Sequence, residues 1–329
     1  MSLHRLSRAA ITTAALSITL AAAALTPALA QNWPQRPIRI IVGFPPGGAV
    51  DLTARLLQPK LSAGFGQPVI IENRAGFGGI VGADAVSHAP PDGYVLGYIV
   101  GSDLAMRPAI STQKTVSPLT DLTPIASVVE SVGCIAVASN GPINSIADLI
   151  ATAKKNPGKL TFGSPGVNSA PHLTGEFLRQ QGLDMVHVPF NGLAPGVVAL
   201  VSGQIDVAIS NIATVSPQVK DGKVRILAVT RPARYEDAPN VPTVAEAIPG
   251  FSVPVAFYGL FGPPGLPQPI VQRIAAETSK ALESPEIVAK TKELYMSRIY
   301  NPPEAFTAMI RNAVDSYAKI VKAAGIKPE

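Results

Sequence analysis

Apolar runs and helix-spaced apolar positions alternate along most of this chain. Arg39–Phe44 (RIIVGF) is almost wholly apolar, and Val50, Ala54, Leu57 and Leu61 follow at helical spacing. Pro68–Asn73 (PVIIEN) predicts a second strand, and Gly78–Ser87 a helix of small residues. The turn PPDG at Pro90–Gly93 leads into a third strand, Tyr94–Val100. The rhythm then repeats. Strands are expected at VGCIAVAS, KLTFGS, MVHVPF, QIDVAIS and VRILAVT, with helices at Ser145–Lys155, Ser169–Gln181, PGVVALVSG and VSPQVKDG. A Pro-rich stretch from Ala238 to Pro249 precedes one more strand within SVPVAFYGLFGPPG, and two amphipathic helices, Gln268–Ala281 and Pro303–Ala323, end the chain. Runs that are apolar throughout suit strands covered on both faces. Strands alternating with helices predict an α/β fold of parallel sheets flanked by helices, in two lobes.

The first thirty residues stand apart. His4, Arg5 and Arg8 precede an apolar run from Ala9 to Leu25, and Ala28-Leu29-Ala30 completes the pattern of a cleaved secretory signal. Cleavage would leave 299 of the 329 residues and reduce the net charge from +5 to +3 by removing two arginines. That length suffices for two cores. No dense Lys/Arg cluster is present, which argues against a nucleic-acid surface. The single cysteine, Cys134, sits in an apolar run and cannot form a disulfide within the chain. An exported, disulfide-free chain of this size fits a bacterial periplasm.

Two strand–loop–helix corners have the chemistry of an anion site. In Phe44–Asp51 (FPPGGAVD) two prolines and two glycines lie where a helix begins. The first amides of a helix are unpaired and partly positive, and glycines let a ligand approach them. No Lys follows Gly48, so this is not a nucleotide loop, and the glycines of GFGGIVG also miss the dinucleotide spacing. The second corner runs from KLTFGS into PGVNSAPHLTGEF, with Ser169 as N-cap and Pro171 in the first turn. His88, His172 and His187 lack metal-ligand spacing, so no metal is expected. Asp206 is read as a sheet-end partner, Glu72-Asn73-Arg74 as a salt-bridged turn, and Phe257 and Tyr258 as core or pocket wall.

The stretches RPIRIIVGFPPGGAVDLTARLLQPKL, GQPVIIENRAGFGGIVGADAVSHAPPDGYVL, NPGKLTFGSPGVNSAPHLTGE, HVPFNG, SGQIDVAIS and NVPTVAEAIPG, in that order, resemble the Bug proteins. These are the extracytoplasmic solute receptors of tripartite tricarboxylate transporters. The resemblance implies a type II periplasmic binding fold with no cofactor and no catalysis. It implies a first lobe of residues 31–131 and 252–329, a second of 132–251, and crossings near Val132 and Phe251. It also implies a small mono- or dicarboxylate held by amides, hydroxyls and water rather than by a charged clamp, hinge closure, a membrane permease as partner, and a monomer. The matching ligand positions are Phe44, Pro46, Gly47, Gly48 and Asp51; Ser102 and Asp103 in the loop after the third strand; and Ser164, Gly166, Asn168 and Ser169. This chain departs from the family at Phe190-Asn191-Gly192, where Tyr-Lys-Gly is common, and at Ser210-Asn211, where an acid is common. It also has Phe257 where Trp is common. Phe190 and Asn211 are therefore expected to tune the ligand towards a less polar, aliphatic or aromatic acid. Two rivals are a sensory module reporting to a kinase and an exported hydrolase using Ser164 or Ser169.

Overall fold

A computed structural model describes residues 33–113, 115–190 and 192–328. The expected signal, residues 1–30, lies outside them. Two mixed sheets form the frame. The first contains β1 (Ile38–Val42), β2 (Val69–Asn73), β3 (Val95–Val100), β4 (Thr123–Ser131), β10 (Ala256–Gly262) and β11 (Met296–Arg298), in the order β11-β4-β10-β3-β1-β2. The second contains β5 (Gly133–Ala138), β6 (Thr161–Ser164), β7 (Val186–Pro189), β8 (Val207–Asn211) and β9 (Val224–Val229), in the order β7-β6-β8-β5-β9.

The expected parallel sheets are only half right. Strands β2-β1-β3 and β7-β6-β8 run parallel, but β10 is antiparallel to β3 and β4, and β5 to β8 and β9. A parallel neighbour requires a crossover connection. Strand β5 instead follows β4 across the single residue Val132, and β10 enters from the coil after Phe251. Each strand thus comes from the other sheet with no crossover helix to reverse it.

Alternation along each strand sorts side chains between two packed faces. On the first sheet, Ile38, Ile40, Val42, Leu96 and Tyr98 pack under helix α1 (Ala49–Phe65) and helix α9 (Gln268–Leu282). Ile41, Val95 and Ile99 face α2 (Ile80–Ser87), α3 (Gly101–Ile110) and α11 (Pro303–Ala324). On the second sheet, one face packs against α4 (Ile146–Lys155), α5 (Ala170–Gln180) and α8 (Val244–Ala247), and the other against α6 (Leu193–Val201) and α7 (Ile212–Lys220). Cys134 is fully buried, and burial pushes its thiol pKa up. Helices α3 and α10 (Pro285–Glu293) and strands β4 and β11 are additions to the elements expected from the sequence.

The glycines of GFGGIVG serve packing. A Cβ on Gly82 would lie 2.6 Å from Gly43 Cα, and one on Gly43 would lie 2.7 Å from Gly79 Cα. Gly79 also has a φ of 94°. Backbone meets backbone here, so α2 can close against the end of β1.

Candidate functional site

A cleft of about 550 Å³ opens between the two sheets. The β1–α1 corner, α3 and the β10 approach wall one side, and the β6–α5 loop and the end of β8 wall the other. Of the residues expected there, Phe44, Asp103, Gly166, Asn168, Ser169 and Asn211 line it. Pro46, Gly47, Gly48, Asp51, Ser102, Ser164 and Phe190 do not.

Asp51 explains the first corner. It is buried, and its carboxylate accepts from Gly47 N (2.9 Å), Asn73 Nδ2 (2.8 Å) and Arg55 Nε (2.9 Å). Burial alone would raise its pKa, but the donors from Arg55, Gly47 and Asn73 hold it below the usual carboxylate range. The chain's own carboxylate therefore occupies the Gly47 amide. Gly48 is the N-cap of α1, with no side-chain cap. Pro46, Gly47 and Gly48 stay exposed outside the cleft, while Phe44 and Val50 form its wall.

The second corner is held by rings. Ser169 is the N-cap of α5, as expected: its Oγ accepts from His172 N at 3.3 Å and donates to Gly166 O at 2.7 Å. Asn168, at φ 58°, donates its N–H to His172 Nδ1 at 3.1 Å. The His172 and His187 rings stack at 4.1 Å, and His187 stacks on Phe162 at 4.9 Å. Burial and the neighbouring His172 push the His187 pKa down to about 4.

His187 Nε2 lies 2.7 Å from Ser164 Oγ, a nucleophile–base distance. Ser164 is nevertheless buried and does not line the cleft. A base depressed to about 4 also draws a proton poorly at neutral pH. The pair braces the loop through Ser164 Oγ and Gly166 O (3.0 Å).

Phe190 packs against Gly163 and Gly196 and joins the second sheet's core. It is a support of the loop rather than a cleft wall. Ser102 and Asp103 lie in the first turn of α3, not in a loop. Ser102 is fully buried, whereas Asp103 reaches the cleft, where burial raises its pKa to about 6 against the opposing pull of Arg107. Asn211 caps α7, accepting from Thr214 N at 2.8 Å, and turns its remaining surface to the cleft. Among the described residues, no group of His, Cys, Asp or Glu is placed to hold a metal ion.

Sequence reasoning missed Arg107. It lines the cleft one helical turn beyond Asp103, donates from Nη2 to Phe77 O at 3.2 Å, and keeps a buried Nε without a partner. Across the cleft, Ser210 Oγ and Asn168 Oδ1 are likewise buried without partners. A loop rather than a helix is expected here from the sequence, so the four-residue spacing that puts Asp103 and Arg107 on one face goes unread.

Comparison with known proteins places this architecture. The family model described as the tripartite tricarboxylate transporter family receptor matches residues 53–326. The chain belongs to that receptor family. The UPF0065 protein of the tcbD–tcbE intergenic region of Pseudomonas sp. strain P51 is 34% identical over 297 residues, covering 88% of this chain and 86% of the relative. The periplasmic binding protein BugD has a solved structure 30% identical in sequence, with a TM-score of 0.75 over 90% of this chain and all of BugD. The R. palustris protein Rpa4515, solved with adipate, is 29% identical, with a TM-score of 0.77 over 91% of this chain and all of Rpa4515. The fold of the receptor is thus that of the periplasmic binding proteins, type II-like. The family is one of binding proteins, which leaves the hydrolase rival without support.

Proposed function

We propose that this receptor captures a small organic carboxylate in the periplasm and hands it to a membrane permease of the tripartite type. The carrying observation is the cleft itself: an apolar enclosure between two sheets lined by Arg107, Ser210 and Asn168, each of which has a buried polar atom without a partner. Buried polar groups are normally paired, so an unpaired set facing one space marks where a ligand's polar atoms belong. Rpa4515 with adipate supports the carboxylate class.

In this reading, Phe44, Asp103, Gly166, Asn168, Ser169 and Asn211 form the ligand's surroundings. Asp51, Gly47 and Gly48 act by shaping the corner behind them. Residues 31–131 and 252–329 act as one lobe and 132–251 as the other. The two crossings, at Val132 and after Phe251, serve as the hinge. Closure would exclude water and strengthen each ion–dipole contact in the cleft. Export through the expected signal at residues 1–30 and action as a monomer complete the reading.

The test is thermal unfolding of residues 31–329 against mono-, di- and tricarboxylates. A ligand at about 100 times its Kd adds about 2.7 kcal/mol, so at least one acid should raise Tm by several degrees. Ala170→Trp, which fills the cleft from the α5 side, should abolish that rise, with the Tm of the free variant as its own baseline. No rise with any acid, on protein shown to be free of co-purified ligand, would remove the proposal.

A further inference from the structure

Resting on the receptor reading, we infer that this cleft selects a single negative charge: its ligand is a monocarboxylate anchored by Arg107, with an apolar body and an uncharged far end. Among the described residues lining the cleft, Arg107 is the one cation and Asp103 the one acid. No Lys, His or second Arg is available there for another carboxylate.

The polar groups are distributed unevenly. Arg107 donates from Nη2 to Phe77 O and has a buried Nε–H with no protein partner, so the chain does not saturate its guanidinium. On the facing wall the unpartnered atoms are Ser210 Oγ and Asn168 Oδ1, both neutral. Between them the surface is apolar, with Phe44, Val50, Met106, Ile110, Leu193 and Ile209. A carboxylate taken out of water needs an opposite charge or several aligned donors. The α3 side offers a full charge, whereas the facing wall offers only neutral groups, the N-terminal turn of α5 among them.

Asp103 sharpens the choice. It shares the α3 face with Arg107, four residues further on. Before binding, Arg107 and Asp103 balance; a monoanion brings the enclosed charge to −1 and a dianion to −2. A second carboxylate, at the far wall, would have no cation to pair, and the charge of Asp103 opposes each further anion in the enclosure. This also separates the chain from a receptor built for adipate, whose two ends are both charged.

Titration calorimetry with skeleton-matched acids tests the inference: hexanoate against adipate, butyrate against succinate, and benzoate against terephthalate, with citrate as a further probe. The expected result is that the best monocarboxylate binds at least tenfold tighter than its dicarboxylate partner. Arg107→Met should weaken that monocarboxylate by at least about 30-fold, which corresponds to about 2 kcal/mol. Arg107→Lys, which keeps the charge but loses the flat edge, should fall between. Asp103→Asn should narrow the gap between mono- and dicarboxylate. A circular-dichroism melt of each variant identifies any that fails to fold, and the Lys variant then carries the test. A dicarboxylate or citrate binding tighter than every monocarboxylate, or Arg107→Met and Arg107→Lys both within threefold of the parent, would overturn the inference while the receptor reading stands. Binding of no carboxylate at all would overturn both.

Discussion

Replacing Arg231 by Met would expose how the two sheets are tied where the chain crosses between them. Glu130 lies on β4, two residues before the crossing, and Arg231 lies just beyond β9. Glu130 is 5% exposed, and Arg231 Nε approaches its Oε1 at 3.3 Å. At an effective dielectric of about 20 this separation is worth about 5 kcal/mol of attraction, which offsets the cost of burying both groups. Burial raises the Glu130 pKa and Arg231 opposes the rise. Without Arg231 the carboxylate would be buried unpaired, a loss of about 3 to 5 kcal/mol. Glu130 has one escape, which is to take up a proton. From an ordinary Glu pKa of about 4.3, that costs about 4 kcal/mol at pH 7 but only about 1 kcal/mol at pH 5. Arg231→Met should therefore destabilise by about 3 to 4 kcal/mol at pH 7 and by about 2 kcal/mol less at pH 5. Adding Glu130→Gln should recover most of the loss at pH 7. Urea unfolding of the four proteins of this cycle at both pH values gives the answer. An equal loss at pH 5 and pH 7, or a double variant as unstable as Arg231→Met, would refute the buried-charge account and leave only lost packing.

Two further predictions follow from the cleft and its frame. Burial moves the Asp103 carboxyl up to about 6, so the unfolded chain gives up this proton more readily than the folded one. The resulting penalty on the fold is absent below about pH 4, grows between about pH 4 and 6, and is complete above. Moving a carboxyl from about 3.9 to about 6 is worth about 3 kcal/mol, so Asp103→Asn should stabilise the free protein by up to that amount at pH 8 and by nothing near pH 4; a gain independent of pH in urea titrations would contradict the assignment. Gly82→Ala should cost about 1 to 3 kcal/mol because its methyl meets Gly43 backbone that cannot yield. Gly48→Ala, with its nearest neighbour at 3.6 Å and φ of −77°, should stay within about 0.5 kcal/mol of the parent. Equal losses at the two glycines would show that neither run is there for close packing.

The contrast between those glycines shows what could be read from the sequence and what could not. Buried strands announce themselves locally, because Arg39–Phe44 and Tyr94–Val100 must be apolar to lie between helix layers. Ser169 as a cap is equally local, since its partner is three residues away. Strand direction is not local: whether β5 runs with or against β8 depends on where β4 left the first sheet. Polar roles are least local of all. The corner Phe44–Asp51 has the residues of an anion site, and an anion does sit on it, but that anion is Asp51, held in turn by Asn73 from β2. A loop that binds its own carboxylate is rigid, and that rigidity fixes Phe44 and Val50 as an apolar wall. In the proposed reading, the charge in the cleft comes from Arg107, on a helix not expected from the sequence. The family pattern names the corners, but each corner's task depends on which side chains the tertiary fold has already satisfied. Among the buried polar atoms left unpaired after folding, those of the cleft residues Arg107, Ser210 and Asn168 are the ones that the proposed reading assigns to the ligand, because their hydrogen bonds are still to be completed.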